Sequence, residues 1–409
     1  LPAVVIFIDN YASFKEKTEE AYEDLLIRIS KEGVSHGIFL VVSGSGFGMN
    51  DITARVGENI GTTLCLALQD KFAYIDLLHN NQIEVMPENG IRGRGLALYG
   101  GRVLEYQTAL AIEAENDYQR MEKIRAACVE MKQAWKKKAA RRIPEIPKKP
   151  VWSAFCELEE YQKASQTKEK LPVGYDAANA QVYGIDLKRT YCYLIMGTAR
   201  SGKTNFLKVC LQAAMEKECR ICVIDSPALE LRNYQKEENV AYAAGEEDIF
   251  AFFQTLLPIF KERNVKKNQL LNEDYEEEEI FDEMSKEIPY FIFISDLSWF
   301  VPFIYHAESD MRGFLENIIA KGRLHNIYFI SDLAIEKRGG IAGYQIYESF
   351  AGYKTGIHFG GKTMDNPVFN FDYLSFAEKA RAEAPGVGTL PDIVNEDETA
   401  KIVVPLARR

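Results

Sequence analysis

Short apolar runs closed by a polar tip alternate along this chain with stretches in which apolar positions recur every three or four residues. Val4-Val5-Ile6-Phe7-Ile8, ending on Asp9-Asn10, is the first run and reads as a buried strand. Residues 18–31 follow with Tyr22, Leu25, Leu26 and Ile29 on one helical face, and Gly33 punctuates the end. Residues 36–43 are the next strand, and β-rich sequence continues to Gly93-Arg94-Gly95-Leu96-Ala97-Leu98. Residues 113–142 read as one long helix with a basic end, Lys136-Lys137-Lys138 and Arg141-Arg142, as suits a helix C-terminus in solvent. Ile143-Pro144-Glu145-Ile146-Pro147 then forbids helix and marks an extended linker.

Beyond the linker, residues 171–176 and 181–187 predict a hairpin. The apolar run 191–196 is a strand, with Phe206, Leu207, Val209, Cys210, Leu211 and Ala214 at helical spacing after it. Further strands are expected at 221–225, 290–296 and 326–331, with helical stretches between them and an acidic loop at 273–279. Strands that alternate with helices imply α/β architecture with a mostly parallel, helix-covered sheet. The expected division is 1–112, the C-terminal part of one α/β domain; 113–150, helix and proline-rich linker; and 151–409, a second α/β domain.

The two domains repeat. Val5-Ile6-Phe7-Ile8-Asp9-Asn10 matches Phe291-Ile292-Phe293-Ile294-Ser295-Asp296, and Gly33-x-x-His36-Gly37-Ile38 matches Gly322-x-x-His325-Asn326-Ile327. Gly93-Arg94-Gly95-Leu96 has its counterpart in Gly386-Val387-Gly388-Thr389-Leu390. The first copy opens inside a strand, without an initiating Met. The expectation is therefore a piece of something longer, whose upstream part holds the first copy's own phosphate loop or its remnant.

Chemistry enters at Gly197-Thr198-Ala199-Arg200-Ser201-Gly202-Lys203-Thr204, which fills G-x-x-x-x-G-K-[ST] between a predicted strand and a predicted helix. Backbone N–H groups of such a loop curl around phosphate, and the helix N-terminus adds partial positive charge. Lys203 would reach the β/γ-phosphates, and the Thr204 hydroxyl would ligate Mg²⁺. ATP with Mg²⁺ is the expected ligand. A second acid is needed at the tip of a neighbouring strand. By the repeat, Ser295 holds the metal position and Asp296 the catalytic one; a shift of one residue makes Asp296 the metal acid, followed by Leu297. Helix capping is the competing role for Asp296. In either register one carboxylate stands where two are usual, so binding is expected and fast hydrolysis is not.

Composition narrows the partners. With 60 Asp and Glu against 49 Lys and Arg the net charge is −11, so nucleic acid is not an expected partner. Seven scattered cysteines suit a reducing compartment, and the lone pair Cys219/Cys222 lacks the second pair a zinc site needs. No apolar run is long enough to span a bilayer.

The P-loop, together with Ile224-Asp225-Ser226-Pro227-Ala228-Leu229-Glu230-Leu231, Tyr234 and Gly322-Arg323-Leu324-His325-Asn326-Ile327, resembles the FtsK/SpoIIIE group of ring-forming P-loop motors. The tandem copies with degenerate acids, the I-P-x-x-P linker and Leu171-Pro172-Val173-Gly174 look most like the EssC/EccC ATPases of bacterial type VII secretion, over their last two ATPase domains. The resemblance implies RecA-like P-loop domains, homo-multimeric assembly, and an anchor placing the domains at the cytoplasmic face of the bacterial membrane. It also implies secreted proteins and other secretion-machinery subunits as partners. Ring motors supply an arginine in trans, for which Arg323 and Arg200 are candidates. A pocket for a substrate signal is implied too, with Trp299, Phe300, Phe303, Ile304 and Tyr305 as one candidate patch, although buried packing accounts for these aromatics better. A DNA translocase of the same superfamily and a nucleotide-binding scaffold without turnover are the alternatives.

Overall fold

The computed structural model describes residues 3–18, 22–46, 51–88, 90–136, 144–307, 311–392 and 399–408. The chain divides into two compact units, Leu1–Ala139 and Ala140–Arg409.

In the first unit β1 (Val4–Ile8) and β2 (Ile38–Val42) pair in parallel, with Val5 opposite Phe39 and Phe7 opposite Val41. One face of the pair packs on Tyr11, Leu26, Ile27 and Val56. The other face leaves Val5, Phe7, Phe39 and Val41 exposed, Phe7 to 75%. β3 (Leu64–Leu66), β4 (Arg94–Tyr99) and β5 (Arg102–Gln107) form a separate antiparallel sheet over Tyr74, Leu78 and Ile83. The long helix runs Asp117–Ala134, shorter than the pattern at 113–142 predicts. Its Asn116 side chain caps the start by accepting from the Gln119 amide, and Trp135 turns extended at the end. The basic residues from Lys137 on lie outside the described residues.

The second unit is built on one ten-stranded sheet. Its strands in chain order are β6 (Lys170–Asp176), β7 (Val182–Asp186), β8 (Cys192–Gly197), β9 (Arg220–Ile224), β10 (Val240–Ala243), β11 (Tyr290–Ile294), β12 (Ile327–Ala334), β13 (Gly356–Phe359), β14 (Val387–Thr389) and β15 (Lys401–Val403). The spatial order is β10-β9-β11-β12-β8-β13-β14-β15-β6-β7. From β10 to β13 all pairs are parallel, and the remainder are antiparallel, the predicted hairpin β6–β7 included.

β8 is buried throughout, and its alternation decides both cores. Tyr193 and Ile195 face one side with Phe206, Leu207, Phe291 and Phe293, whereas Leu194 and Met196 face the other with Ile292, Ile294, Phe300 and Phe329. Phe291 and Phe293 hold the repeat positions of Val5 and Phe7. The face left open in the first unit is thus the one that here carries the helix Lys203–Met215.

The chain leaves β8 over β12 and β11 to form β9, while β13 lies on the other flank of β8. That reversal is a topological switch point, and the crevice beyond its strand ends is where open α/β sheets take ligands. One expectation fails. The acidic run 273–279 is half helix: Glu277–Met284 starts on it, with Glu276 and Glu279 forming a capping box. Clustered acids there complement the helix dipole.

Candidate nucleotide site

Gly197 ends β8 against β13, where a Cβ would stand 2.1 Å from the Phe359 carbonyl oxygen. No side chain fits there. The Thr198 amide donates to that same carbonyl at 3.2 Å. After Ala199 the chain reverses through Arg200 and Gly202, both left-handed at φ 60° and 109°. The Ser201 hydroxyl donates to the Thr198 carbonyl at 2.8 Å, and the Gly386 amide donates to the Ser201 carbonyl at 3.0 Å, fixing the loop from both sides.

The helix Lys203–Met215 then begins with glycine at its cap, so no side chain covers its first turn. Helix-start amides left uncapped are ready donors for an anion. Lys203 is 8% exposed and its Nζ donates to the Thr198 carbonyl at 2.6 Å. Burial lowers its pKa, opposed by the charges of Asp332, Glu336, Asp296 and Glu230. An amine folded onto its own loop beside an uncapped helix start fits a phosphate group.

Thr204 Oγ1 donates to Glu230 Oε2 at 3.1 Å. Glu230 sits on the loop after β9, which is closed by Asp225. That buried carboxylate accepts from the Leu231 amide at 2.9 Å and the Tyr242 hydroxyl at 2.8 Å. Desolvation raises the Asp225 pKa, and these bonds oppose it.

Asp296 follows β11 in a left-handed conformation, φ 56° and ψ 83°. Asn10 after β1 has the same conformation, φ 58° and ψ 77°, which sets Asp9 against Ser295 and Asn10 against Asp296. The competing role of Asp296, helix capping, is realised at the strand tip: its Oδ1 accepts from the Ser298 amide at 3.1 Å and from the Ser298 hydroxyl. Its Oδ2 pairs with Lys337 Nζ at 2.7 Å. Ser295 is buried, its hydroxyl 3.3 Å from that of Ser226.

Asp332 is a residue that the sequence motifs do not single out. It lies on β12, the strand between β8 and β11, opposite Ile195, and accepts from the Asp296 amide at 2.9 Å. Burial pushes its pKa up to about 6, eased by that amide and by Lys203. The repeat holds a signal for it, since the match of Gly33 to Gly322 continues to Ser43 and Asp332. Lys337 and Glu336 follow on the 3₁₀ segment Ile335–Gly340.

Other candidates have structural roles in this chain. Arg323 makes a bidentate pair with Glu277, at 3.1 and 2.6 Å. Phe300 and Ile304 are core, Trp299 stacks on Phe303 at 5.1 Å, and Tyr305 meets Tyr344 edge-on at 4.5 Å. The Cys219 thiol donates to the Ala214 carbonyl and is pushed up to about 12 by burial, and Cys222 is fully buried. Neither is disposed to be a thiolate ligand. Among the described residues no cluster of His, Cys, Asp and Glu could hold a metal by itself. Mg²⁺ fits the site only with phosphate and water completing its shell.

Sheet order, loop and helix together define an α/β P-loop domain. No family model matches the chain. The ESX secretion system protein EccC of Geobacillus thermodenitrificans is 24% identical over 276 residues, covering 67% of this chain and 18% of that protein. The ESX secretion system protein YukB of Bacillus subtilis is 26% identical over 266 residues, covering 64% and 17%. The chain therefore spans less than a fifth of the length of the curated relatives it matches. Among solved structures, EssC (ATPases 2 and 3) from Geobacillus thermodenitrificans matches with a TM-score of 0.73 at 20% identity, over all of this chain and 72% of that one. Thermomonospora curvata EccC (ATPases 2 and 3), in complex with a signal sequence peptide, matches with a TM-score of 0.57 at 18% identity, over 100% and 69%. The homologues of this chain are type VII secretion ATPases, and its fold is that of their tandem ATPase domains.

Proposed function

We infer that this chain supplies nucleotide-binding domains to a type VII secretion ATPase, and that its second unit binds Mg·ATP at Gly197–Thr204. The observation that carries this is the Lys203 amine, folded onto its own loop at an uncapped helix start. In this reading Lys203 leaves the Thr198 carbonyl for the β/γ-phosphates, and the amides that open its helix hold phosphate oxygens. The Thr204 hydroxyl, which donates to Glu230, and Asp296, through water, are the groups that would hold Mg²⁺ beside the phosphates. Held there, Mg²⁺ would supply charge that neutralises the phosphate oxygens.

The assembled protein works as a homo-multimer at the cytoplasmic face of a bacterial membrane, where it recognises and exports small proteins alongside other machinery subunits. Supporting this are the relatives' names and the signal sequence peptide bound to the Thermomonospora EccC. Among the described residues no helix is long and apolar enough to cross a membrane.

A scaffold without turnover is the second reading, favoured by the Lys337 pair that occupies the carboxylate at the tip of β11. Titration with a fluorescent ATP analogue in Mg²⁺ tests the main proposal. Saturable binding by the native chain and none by Lys203→Ala is expected; equal binding by both contradicts it. Following phosphate release in the same samples separates motor from scaffold. Salt-sensitive DNA binding with DNA-stimulated hydrolysis would instead mark a DNA translocase.

A further inference from the structure

β12 lies directly beside the P-loop strand, Ala334 pairing with Gly197. The segment Ile335–Gly340 therefore leaves the sheet at the mouth of the loop, and it carries Lys337. The Lys337 amine reaches Asp296 Oδ2 at 2.7 Å, and its side chain remains 57% exposed. Asp296, Asp332 and Glu230 all raise its pKa. The same three carboxylates, with Glu336, act on Lys203. Lys203 on the P-loop helix and Lys337 on the segment after β12 are thus both influenced by Asp296, which Lys337 touches directly.

We propose that Lys337 is a γ-phosphate-sensing cation supplied by the chain itself, held on Asp296 until a metal-bound triphosphate takes its place there. This rests on the proposed nucleotide binding at Gly197–Thr204. The exchange is electrostatic. A divalent cation near Thr204 competes with Lys337 for the Asp296 carboxylate, because a doubly charged ion interacts more strongly with it. The released ammonium sits on a flexible stem, exposed enough to move, on the segment that follows β12 where that strand ends beside Gly197. It then meets the terminal phosphate, which a diphosphate lacks. A charge-assisted bond to that phosphate favours triphosphate over diphosphate. Lys337 is here a positioning and specificity residue.

The test is the affinity of Lys337→Met, Lys337→Arg and native protein for ATP and for ADP, each with Mg²⁺, by calorimetry. Lys337→Met is expected to weaken ATP about tenfold and leave ADP within about twofold, with arginine restoring most of the ATP affinity. Equal effects on the two nucleotides, or none on either, overturn the proposal while nucleotide binding stands. Absence of binding by the native protein overturns the nucleotide reading, and this inference with it. Melting curves of the three proteins exclude a folding defect, which the exposure of the side chain makes small.

Discussion

The backbone amide of Asp296 donates to the Asp332 carboxylate at 2.9 Å, and in the first unit the amide of Asn10 donates to the Ser43 hydroxyl at the same 2.9 Å. In both units a left-handed residue at a strand tip is tied to the next strand. The receiving group is a neutral hydroxyl in one copy and a buried acid in the other. Only the second copy thereby gains charge beside its P-loop lysine.

That acid has a pH signature. Its folded pKa, about 6, stands above the ordinary 3.8, so the folded state is favoured while Asp332 is protonated and loses that advantage as pH rises between these values. Asp332→Asn keeps an acceptor for the Asp296 amide and removes the charge. The variant should gain stability on the native chain between pH 5 and pH 8, by about 1.4 kcal/mol. Urea midpoints at the two pH values check this, and a constant difference would contradict it.

His325 acts in the opposite direction. It is buried, stacks on Phe260 at 4.7 Å, and its Nδ1 lies 2.8 Å from the Gly322 carbonyl oxygen. Burial lowers its pKa from 6.5 to about 4. As pH falls from 6.5 toward 4, the unfolded chain takes up a proton that the folded site refuses, and stability drops. His325→Gln should flatten this part of the stability–pH curve. The slope should not vanish, because His358 is likewise lowered to about 4.

Two carboxamides on the P-loop helix hold the main chain of the C-terminal segment. Asn205 donates to the Pro405 carbonyl and accepts from the Ala407 amide, at 2.9 and 3.0 Å. Gln212 donates to the Arg408 carbonyl and accepts from its amide, at 3.2 and 3.1 Å. Alanine at either position should cost about 1–3 kcal/mol in chemical denaturation, since partly buried main-chain groups lose partners. Both residues restrain one segment, so the double variant should cost less than the sum.

Arg323 should matter little by itself. Its pair with Glu277 is solvent-exposed, and it precedes β12 at the sheet edge opposite Asp332. Arg323→Ala should change stability by less than about 1 kcal/mol and leave ATP affinity unaltered. Both follow from equilibrium unfolding and nucleotide titration.

What the residues disclose by themselves follows from locality. Gly197–Thr204 carries its chemistry in consecutive positions, so strand, loop and helix are legible from the amino-acid pattern alone. The pairing of Asp9-Asn10 with Ser295-Asp296 is equally local. The relevance of Asp332, Lys337 and Glu230 is not, because it depends on which strands flank β8. β12 inserts between β8 and β11, and an acid inside an apolar strand gains meaning only from that neighbour. The grip of Asn205 and Gln212 is hidden for the same reason, since in sequence they are polar positions on a helix. Glu276 and Glu279 are a different case: their capping-box spacing is local, yet a run of consecutive acids resembles a solvated loop.

The cradle at Gly197–Thr204 is proposed to bind a nucleoside triphosphate through Lys203. The most direct measurement is the melting temperature of native and Lys203→Ala protein, each with and without Mg·ATP. A ligand selective for the folded state, at about a hundred times its Kd, stabilises by about 2.7 kcal/mol. A clear upward shift is expected for the native chain and none for Lys203→Ala. An unshifted native protein, or an equal shift in the variant, would contradict it.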